Sequence, residues 1–302
     1  MADGEPIPVV DAHQHFWDLE QNYYPWLCDA ELVPFRYGDY SAIRQTYLPP
    51  DYRRDSVGFD VVKTVHIEAE HDPVNPLAET LWLEELSAEH GLPTALVAQA
   101  RLERDDVEEL LAAQGGRPMV RGIRQKPTAA ASPGEARRGG PGSMDDPRWR
   151  TGYALLEGHG LSFDLLTPWW HFDAAHDLAC DFPAIQIVIN HTGLPADRSE
   201  EGLAGWRRAL EMVAGQDNVA LKITGLGRPG QPWTLEANGP VIRDAIAIFG
   251  ADNCMFASNY PVDRLAGSFD DIYSGFEAAC DGMSDADLLA LFHDNAERIY
   301  RL

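Results

Sequence analysis

The sequence predicts a single-domain α/β protein, a TIM (β/α)₈ barrel over residues 1–302. The chain has 302 residues and 45% hydrophobic content, which suits one barrel with a large core. Short β-rich runs alternate with amphipathic segments from end to end, a pattern typical of βαβ units with parallel strands. About eight such units are present, the number that closes this barrel.

Each strand is predicted from a short apolar run, and each helix from the amphipathic segment that follows. The predicted strands are Pro8–His13, Val61–Ile67, Thr94–Ala100, Val120–Gln125, Leu161–Leu166, Ile185–Asn190, Val219–Thr224 and Cys254–Ser258. Predicted helical segments include Pro76–His90, Asp105–Gln114, Trp206–Gly215, Gly239–Phe249 and Ser268–Cys280.

Two segments interrupt this alternation. Residues 16–55 form a long aromatic-rich loop region after the first strand, and loops of this length are uncommon unless they are functional. Residues 128–144 are rich in Ala, Gly and Pro. We interpret this second segment either as a mobile lid or as a disordered surface insert.

The charge of the chain limits its partners. The net charge is −24 and the pI is about 4.6, so the surface repels phosphate backbones and anionic lipid. We therefore expect a small-molecule substrate, and neither nucleic acid nor a membrane as partner. A homo-oligomer is compatible with the sequence. An anionic substrate would need a local basic pocket.

Cysteine spacing and the N-terminal residues predict a cytoplasmic protein. The four cysteines are widely separated and include no CxxC pair, so we expect them to be reduced and mostly buried. The segment MADGEPIPVV is acidic and lacks the regions of a signal peptide. No apolar run approaches the ~20 residues of a membrane span.

Three histidines are the first candidates for chemistry. In VVDAHQHFWD, alternation places Asp11, His13 and His15 on one strand face. In AIQIVINHTGLP, the same rule places His191 on the face of the isoleucines at 185, 187 and 189, which we expect to point inward. The three imidazoles should converge at one mouth of the barrel, where they suit a divalent metal or hydrogen bonds to an oxyanion.

Charged and aromatic side chains at other strand ends are candidates for substrate binding. Glu68 ends the second strand and can ligate a metal or hold a substrate hydroxyl. Arg124 and Lys126 share a face of the fourth strand, where they bind a substrate oxygen or pair with a neighbouring carboxylate. Trp169 either walls a pocket or packs against a helix. Lys222 should point inward and pair either with a group such as Asp164 or with a bound oxygen.

The stretch FASNYPVD follows the eighth strand and lacks a carboxylate at the strand tip. Asn259 shares a face with Met255 and Ala257, so it should point into the mouth and hydrogen bond to substrate or water. The adjacent Tyr260 is a further substrate-binding candidate. Asp263 lies four residues beyond Asn259, and a turn at Pro261 can return it to the mouth as the catalytic carboxylate. Alternatively, it caps a helix or pairs with Arg264.

The ordered motifs resemble the amidohydrolase-related group of the amidohydrolase superfamily, which contains sugar lactonases and pyrone-dicarboxylate lactonases. They are DAHQHFWD, HIEAEHDP, GIRQKP, LSFDLLTPWW, NHTGLP, LKITGLG, FASNYPVD and FHDNAERIYRL, and they span nearly the whole chain. The resemblance implies a distorted barrel that hydrolyses a lactone or similar ester, with His13, His15 and His191 as site histidines. Some members bind one divalent ion and others work without one. Members commonly have Asp where Asn259 stands.

We therefore predict a lactone-opening hydrolase. Its histidines would polarise the carbonyl, with Asp263 or Glu68 as general base. If a metal binds, three imidazoles and one carboxylate favour a single zinc ion. The alternatives are a metal-dependent decarboxylase with the same barrel, or a binding protein that lost catalysis when the strand-eight aspartate was replaced by asparagine.

Overall fold

A computed structural model describes residues 6–302, which form one barrel of eight parallel strands. The strands are β1 (Pro8–Gln14), β2 (Asp60–Ile67), β3 (Ala95–Gln99), β4 (Val120–Gln125), β5 (Ser162–Leu165), β6 (Ile187–Ile189), β7 (Val219–Ile223) and β8 (Cys254–Phe256). They pair in chain order. Beyond β8, Asn259 N donates to His13 O at 2.8 Å and His15 N donates to Tyr260 O at 2.8 Å. These bonds bring the two ends of the sheet together.

The helices surround the sheet and follow the strands. They are α1 (Pro25–Cys28), α2 (Pro49–Asp55), α3 (Ala78–His90), α4 (Val107–Gly115), α5 (Pro147–Gly158), α6 (Phe172–Asp181), α7 (Glu200–Ala214), α8 (Leu235–Phe249), α9 (Phe269–Ala279), α10 (Asp285–Leu289) and α11 (Asn295–Tyr300). The predicted fold class is confirmed. Each predicted strand is present within two residues of its expected ends.

The core has two parts. A large outer cluster fills the space between sheet and helices, whereas a smaller inner cluster fills the barrel. The inner cluster includes Val10, Ala12, Val65, Ile67, Val97, Val188, Ala220, Met255 and Ala257. It also contains Tyr300 of α11, so the C-terminal helix contributes to the barrel interior.

The predicted facing of β1 is wrong, because this strand contains a bulge. Asp11 pairs with Thr64 and Gln14 pairs with His66, so β1 has one residue more than β2 in this interval. Asp11 therefore points outward, where it accepts hydrogen bonds from Tyr52 Oη at 2.7 Å and Ser258 Oγ at 2.6 Å. Because of the extra residue, His13 points into the barrel although it lies two positions from Asp11, a spacing that would place both on one face of a regular strand.

The predicted facing of β6 is also wrong. Ile187 and Ile189 belong to the outer cluster, and Val188 faces the interior. His191 follows the strand, and both it and Thr192 have left-handed backbones, with φ of 52° and 55°. Such φ values are uncommon for non-glycine residues and cluster at functional sites. This turn, rather than strand alternation, aims His191.

The two irregular segments both pack against the barrel. Residues 16–48 include α1 and cover the mouth with aromatic side chains, among them Trp26, which stacks on Phe35 with ring centroids 5.7 Å apart. In segment 128–144, Ala130 O accepts a hydrogen bond from Trp170 Nε1 at 3.0 Å. Arg138 pairs with Asp145 and with Asp173 and Asp177 of α6.

The four cysteines lie within the described residues and none forms a disulfide. Cys254 and Cys280 are buried, but Cys28 is only partly buried and Cys180 is exposed, so burial was overpredicted. No helix within residues 6–302 is both long enough and apolar enough to span a membrane. The structure does not describe residues 1–5, which form half of the N-terminal stretch MADGEPIPVV on which the predicted cellular location depends. The cytoplasmic location stays a prediction.

Candidate active site

A cavity of about 360 Å³ opens at the carboxyl ends of the strands, the end where barrels of this class carry their active sites. His15, Arg124, His191 and Asn259 line it from the barrel side. The loop after β1 supplies a largely apolar wall that includes Trp26, Val33, Pro34 and Phe35.

The three predicted histidines converge at this mouth. The ring centroid of His13 lies 5.0 Å from that of His15 and 4.7 Å from that of His191. His15 Nδ1 lies 2.7 Å from Ile67 O. Within residues 6–302, neither ring nitrogen of His13 has a hydrogen-bond partner, nor does Nδ1 of His191. His15 and His191 line the cavity, whereas His13 is fully buried and is not among the lining residues.

The histidines are neutral near pH 7. Burial lowers the pKa of each ring well below its ordinary value of 6.5. Positive neighbours add to this effect: Lys222 beside His13, and Arg124 beside His15. A neutral imidazole has one N–H donor and one lone pair, so each ring can donate and accept at the same time.

A buried ion pair lies close to His13. Lys222 Nζ donates to Asp164 Oδ1 at 2.6 Å, as the sequence predicts, and both side chains are fully buried. Asn190 Nδ2 and Tyr300 Oη also donate to Asp164, at 2.9 and 3.0 Å. Burial lowers the pKa of Lys222 to about 8, although Asp164 acts in the opposite direction.

Arg124 forms an ion pair with a neighbouring carboxylate, the second of the two roles predicted for it. Its Nε donates to Glu68 Oε1 at 2.7 Å, and a second guanidinium nitrogen donates to the Glu68 carbonyl. The other carboxylate oxygen of Glu68 accepts from Glu70 N at 2.7 Å. Arg124 still lines the cavity, whereas both oxygens of Glu68 already have donors. At the rim, Lys126 pairs with Glu70.

The strand-eight residues form a chain that leads away from the cavity. Asn259 lines the cavity; its Oδ1 lies 3.3 Å from His15 Nε2 and its Nδ2 donates to Asp263 Oδ1 at 2.6 Å. Asp263 is buried behind Asn259 and also accepts from Tyr37 Oη at 2.7 Å. Burial raises the pKa of Asp263, and Arg36, 3.5 Å away, opposes that rise. Contrary to the prediction, the carboxylate of Asp263 does not reach the cavity surface. It also does not pair with Arg264, which pairs with Asp55.

Two other predicted residues lie outside the cavity lining. Tyr260 donates from its hydroxyl to Gly267 O at 2.9 Å and packs on Phe269. Trp169 packs against Gly205 of α7, where an added Cβ would lie 2.6 Å from the ring. Both side chains therefore have structural contacts. For Trp169, packing against a helix is one of the two predicted alternatives.

Arg36 and Tyr37 are not predicted from the sequence, and the β1–α2 loop brings them to the site. The feature of the sequence that could have indicated them is the length and aromatic content of that loop. Arg36 lines the cavity and also borders a second cavity of about 420 Å³ that contains Arg198 and Arg228. In the described chain, Nε and Nη1 of Arg198 have no hydrogen-bond partner.

The side chains at the mouth do not form a preassembled metal centre. Imidazole nitrogens are suitable zinc ligands, and those of His13 and His191 are available. However, no group of three His, Cys, Asp or Glu side chains in residues 6–302 is arranged to hold a metal ion. The strand-eight tip offers an uncharged amide instead of a carboxylate.

Known proteins are similar to this chain over nearly its whole length. A Sinorhizobium fredii protein described as uncharacterized protein y4mH is 42% identical over 98% of this chain and 99% of its own length. The L-fucono-1,5-lactonase of Burkholderia ambifaria is 27% identical, covering 97% of this chain and 95% of its own.

A solved amidohydrolase from Burkholderia multivorans with bound zinc superposes with a TM-score of 0.78 at 25% identity, covering 97% of this chain and 99% of that one. The sequence profile of the Amidohydro_2 family, described as amidohydrolase, matches residues 10–302. With that match, and with three histidines at the mouth of an eight-stranded barrel, the chain belongs to the amidohydrolase family.

Proposed function

We propose that this protein is a hydrolase that opens a lactone or similar cyclic ester of a small carboxylated or polyhydroxylated molecule. The observation that carries the proposal is the convergence of three neutral imidazoles, two of which, His15 and His191, line a cavity bordered by cationic side chains. The 27% identity to L-fucono-1,5-lactonase supports lactones as the substrate class.

The histidines supply the two interactions that ester hydrolysis needs. An N–H of His13 or His191 can donate to the lactone carbonyl oxygen and stabilise the charge that develops there. A lone pair of a neutral ring can accept the proton of the attacking water. The water oxygen then bonds to the carbonyl carbon, the ring C–O bond breaks, and the departing alkoxide takes up the proton that the imidazole accepted from water.

The cavity walls favour an anionic substrate with an apolar face. Arg36, Arg124 and Lys126 line the cavity of a protein whose net charge is −24. Each also has a carboxylate partner, so a substrate anion would bind through the donors that these pairs leave free. Trp26 and Phe35 offer flat surfaces against which the C–H face of a sugar ring packs. The adjoining cavity with Arg198 and Arg228 gives further room for negative charge.

A panel of sugar-acid 1,5-lactones, including L-fucono-1,5-lactone, tests the proposal through proton release in weakly buffered solution. We expect turnover, and a loss of about 10² to 10⁴-fold in kcat/KM for His13→Asn, the usual contribution of a positioned acid–base group. His159→Asn, at the end of α5, is the matched control and should retain full activity. Binding without turnover would support the inactive binding protein, and release of CO₂ from aromatic acids the decarboxylase.

Metal dependence is measured on the same preparation. A zinc ion is suggested by the zinc-bound relative, but the ligand arrangement described above leads us to expect less than one equivalent of zinc in protein purified without added metal. Activity should survive chelation. Stoichiometric zinc together with loss of activity on chelation would contradict this expectation.

A further inference from the structure

The orientation of the Asn259 side chain is fixed by its neighbours. Asp263 is 1% exposed, and its Oδ1 receives Asn259 Nδ2 at 2.6 Å and Tyr37 Oη at 2.7 Å, with Arg36 3.5 Å away. An ionised carboxylate only accepts hydrogen bonds, so the amide must turn its NH₂ group toward Asp263. Its carbonyl oxygen then faces the cavity.

The same reasoning fixes the tautomer of His15. The Ile67 carbonyl only accepts, so His15 Nδ1, 2.7 Å away, must carry the ring's proton. In the neutral ring Nε2 then bears a lone pair, and it lies 3.3 Å from Asn259 Oδ1. Two hydrogen-bond acceptors, Asn259 Oδ1 and His15 Nε2, therefore face each other at the cavity wall. A water molecule can donate one O–H to each of them.

We propose that Asp263 is a positioning residue: it turns the Asn259 amide so that its Oδ1 and His15 Nε2 together hold the attacking water. A water that donates to both atoms keeps its oxygen lone pairs free to approach the lactone carbonyl. Asn259 thus offers the acceptor oxygen of a carboxylate without its charge. This inference rests on the proposed hydrolysis, and it gives Asp263 no direct contact with substrate.

A double-mutant cycle separates positioning from direct participation. Asn259→Ala and Asp263→Ala should each lower kcat by about 10 to 10²-fold and leave KM within about threefold, since water rather than substrate loses its site. The double variant should be no slower than Asn259→Ala, because Asp263 acts only through that amide. Losses that multiply in the double variant would show that Asp263 acts independently and would overturn the inference.

An exchange variant guards against loss of folding. Asn259→Asp combined with Asp263→Asn keeps one amide–carboxylate hydrogen bond and keeps an acceptor oxygen toward His15. It should recover kcat to within about tenfold of the parent protein. If the exchange variant folds but is as slow as the double alanine variant, the orientation of the amide is not what matters. Asp55→Asn is the matched control, since Asp55 also accepts from a tyrosine and an arginine but lies outside the cavity.

A second readout does not need a substrate. In ¹⁵N-edited NMR spectra, one Asn259 side-chain N–H should resonate far downfield because of its short bond to Asp263. Asp263→Ala should abolish that shift. An Asn259 amide signal that is insensitive to Asp263→Ala would refute the inference even if every lactone tested proved inert, an outcome that by itself would count only against the proposed function.

Discussion

Arg124 has two roles, and a single substitution would affect both of them. It lines the cavity, and it is also the charged partner of buried Glu68. Removing one member of a buried ion pair costs about 3–5 kcal/mol, because the other charge is left unpaired. A loss of activity in a truncated variant could therefore reflect a weakened fold.

We expect Arg124→Ala to lower kcat/KM by about 10²-fold through loss of a charge-assisted hydrogen bond to substrate. Combining it with Glu68→Gln removes the unpaired charge, so the free energy of unfolding should recover while kcat/KM stays low. Steady-state kinetics and urea denaturation of both variants measure the two effects. An unchanged kcat/KM in Arg124→Ala would make this arginine structural.

At the scale of elements, one arginine of segment 128–144 forms several ion pairs that attach the segment to its surroundings. Arg138 pairs with Asp145, which lies in the same β4–α5 connection, and with Asp173 and Asp177 of α6. Within residues 6–302, the neighbouring Arg137 donates only to nearby backbone carbonyls, those of Gly134 and Ala136. The two arginines therefore form a matched pair for testing how the segment is attached.

Arg138→Ala should make segment 128–144 more sensitive to a protease of broad specificity, and Arg137→Ala should not. Exposed ion pairs contribute only about 0–1 kcal/mol each, so the global free energy of unfolding should change little. Limited proteolysis followed by mass spectrometry locates the cuts. Equal cleavage of both variants would show that the segment is held by other contacts, such as that of Ala130 with Trp170.

At the scale of the whole molecule, the buried histidines link stability to pH. Their pKa values are lowered in the folded protein by burial, whereas in the unfolded chain they take up protons near 6.5. The unfolded state therefore binds more protons as pH falls below about 6.5, and the free energy of unfolding must decrease. The stabilisation is fully present above that pH.

The slope can reach about 1.4 kcal/mol per pH unit for each histidine. Urea denaturation from about pH 8 to about pH 5.5 should show this decline, and His13→Asn should reduce its steepness by up to one histidine's share. Asp11 and Asp263, whose pKa values are raised by burial, act in the opposite direction nearer to pH 4. A flat profile between pH 8 and 5.5 would mean that the rings are already protonated or exposed in the fold.

Local sequence was sufficient for the elements of this barrel and for the site residues at its strand ends. Apolar runs and amphipathic segments act through short-range geometry, so the eight strands could be located within two residues. Residues at strand ends meet at one edge of a parallel barrel, so His13, His15, His191, Arg124 and Asn259 could be grouped without knowing their distances. The pairing of Lys222 with Asp164 followed from the cost of burying a lone charge.

Only the tertiary structure decided how these side chains are aimed. The bulge in β1 depends on pairing with β2, and the left-handed turn at His191 depends on its packed surroundings, so strict alternation gave the wrong faces for Asp11 and the isoleucines. The loop that brings Arg36 and Tyr37 onto Asp263 joins residues more than 200 positions apart. Burial and hydrogen bonding at that meeting point place the carboxylate behind Asn259, and no local pattern encodes such a long-range contact.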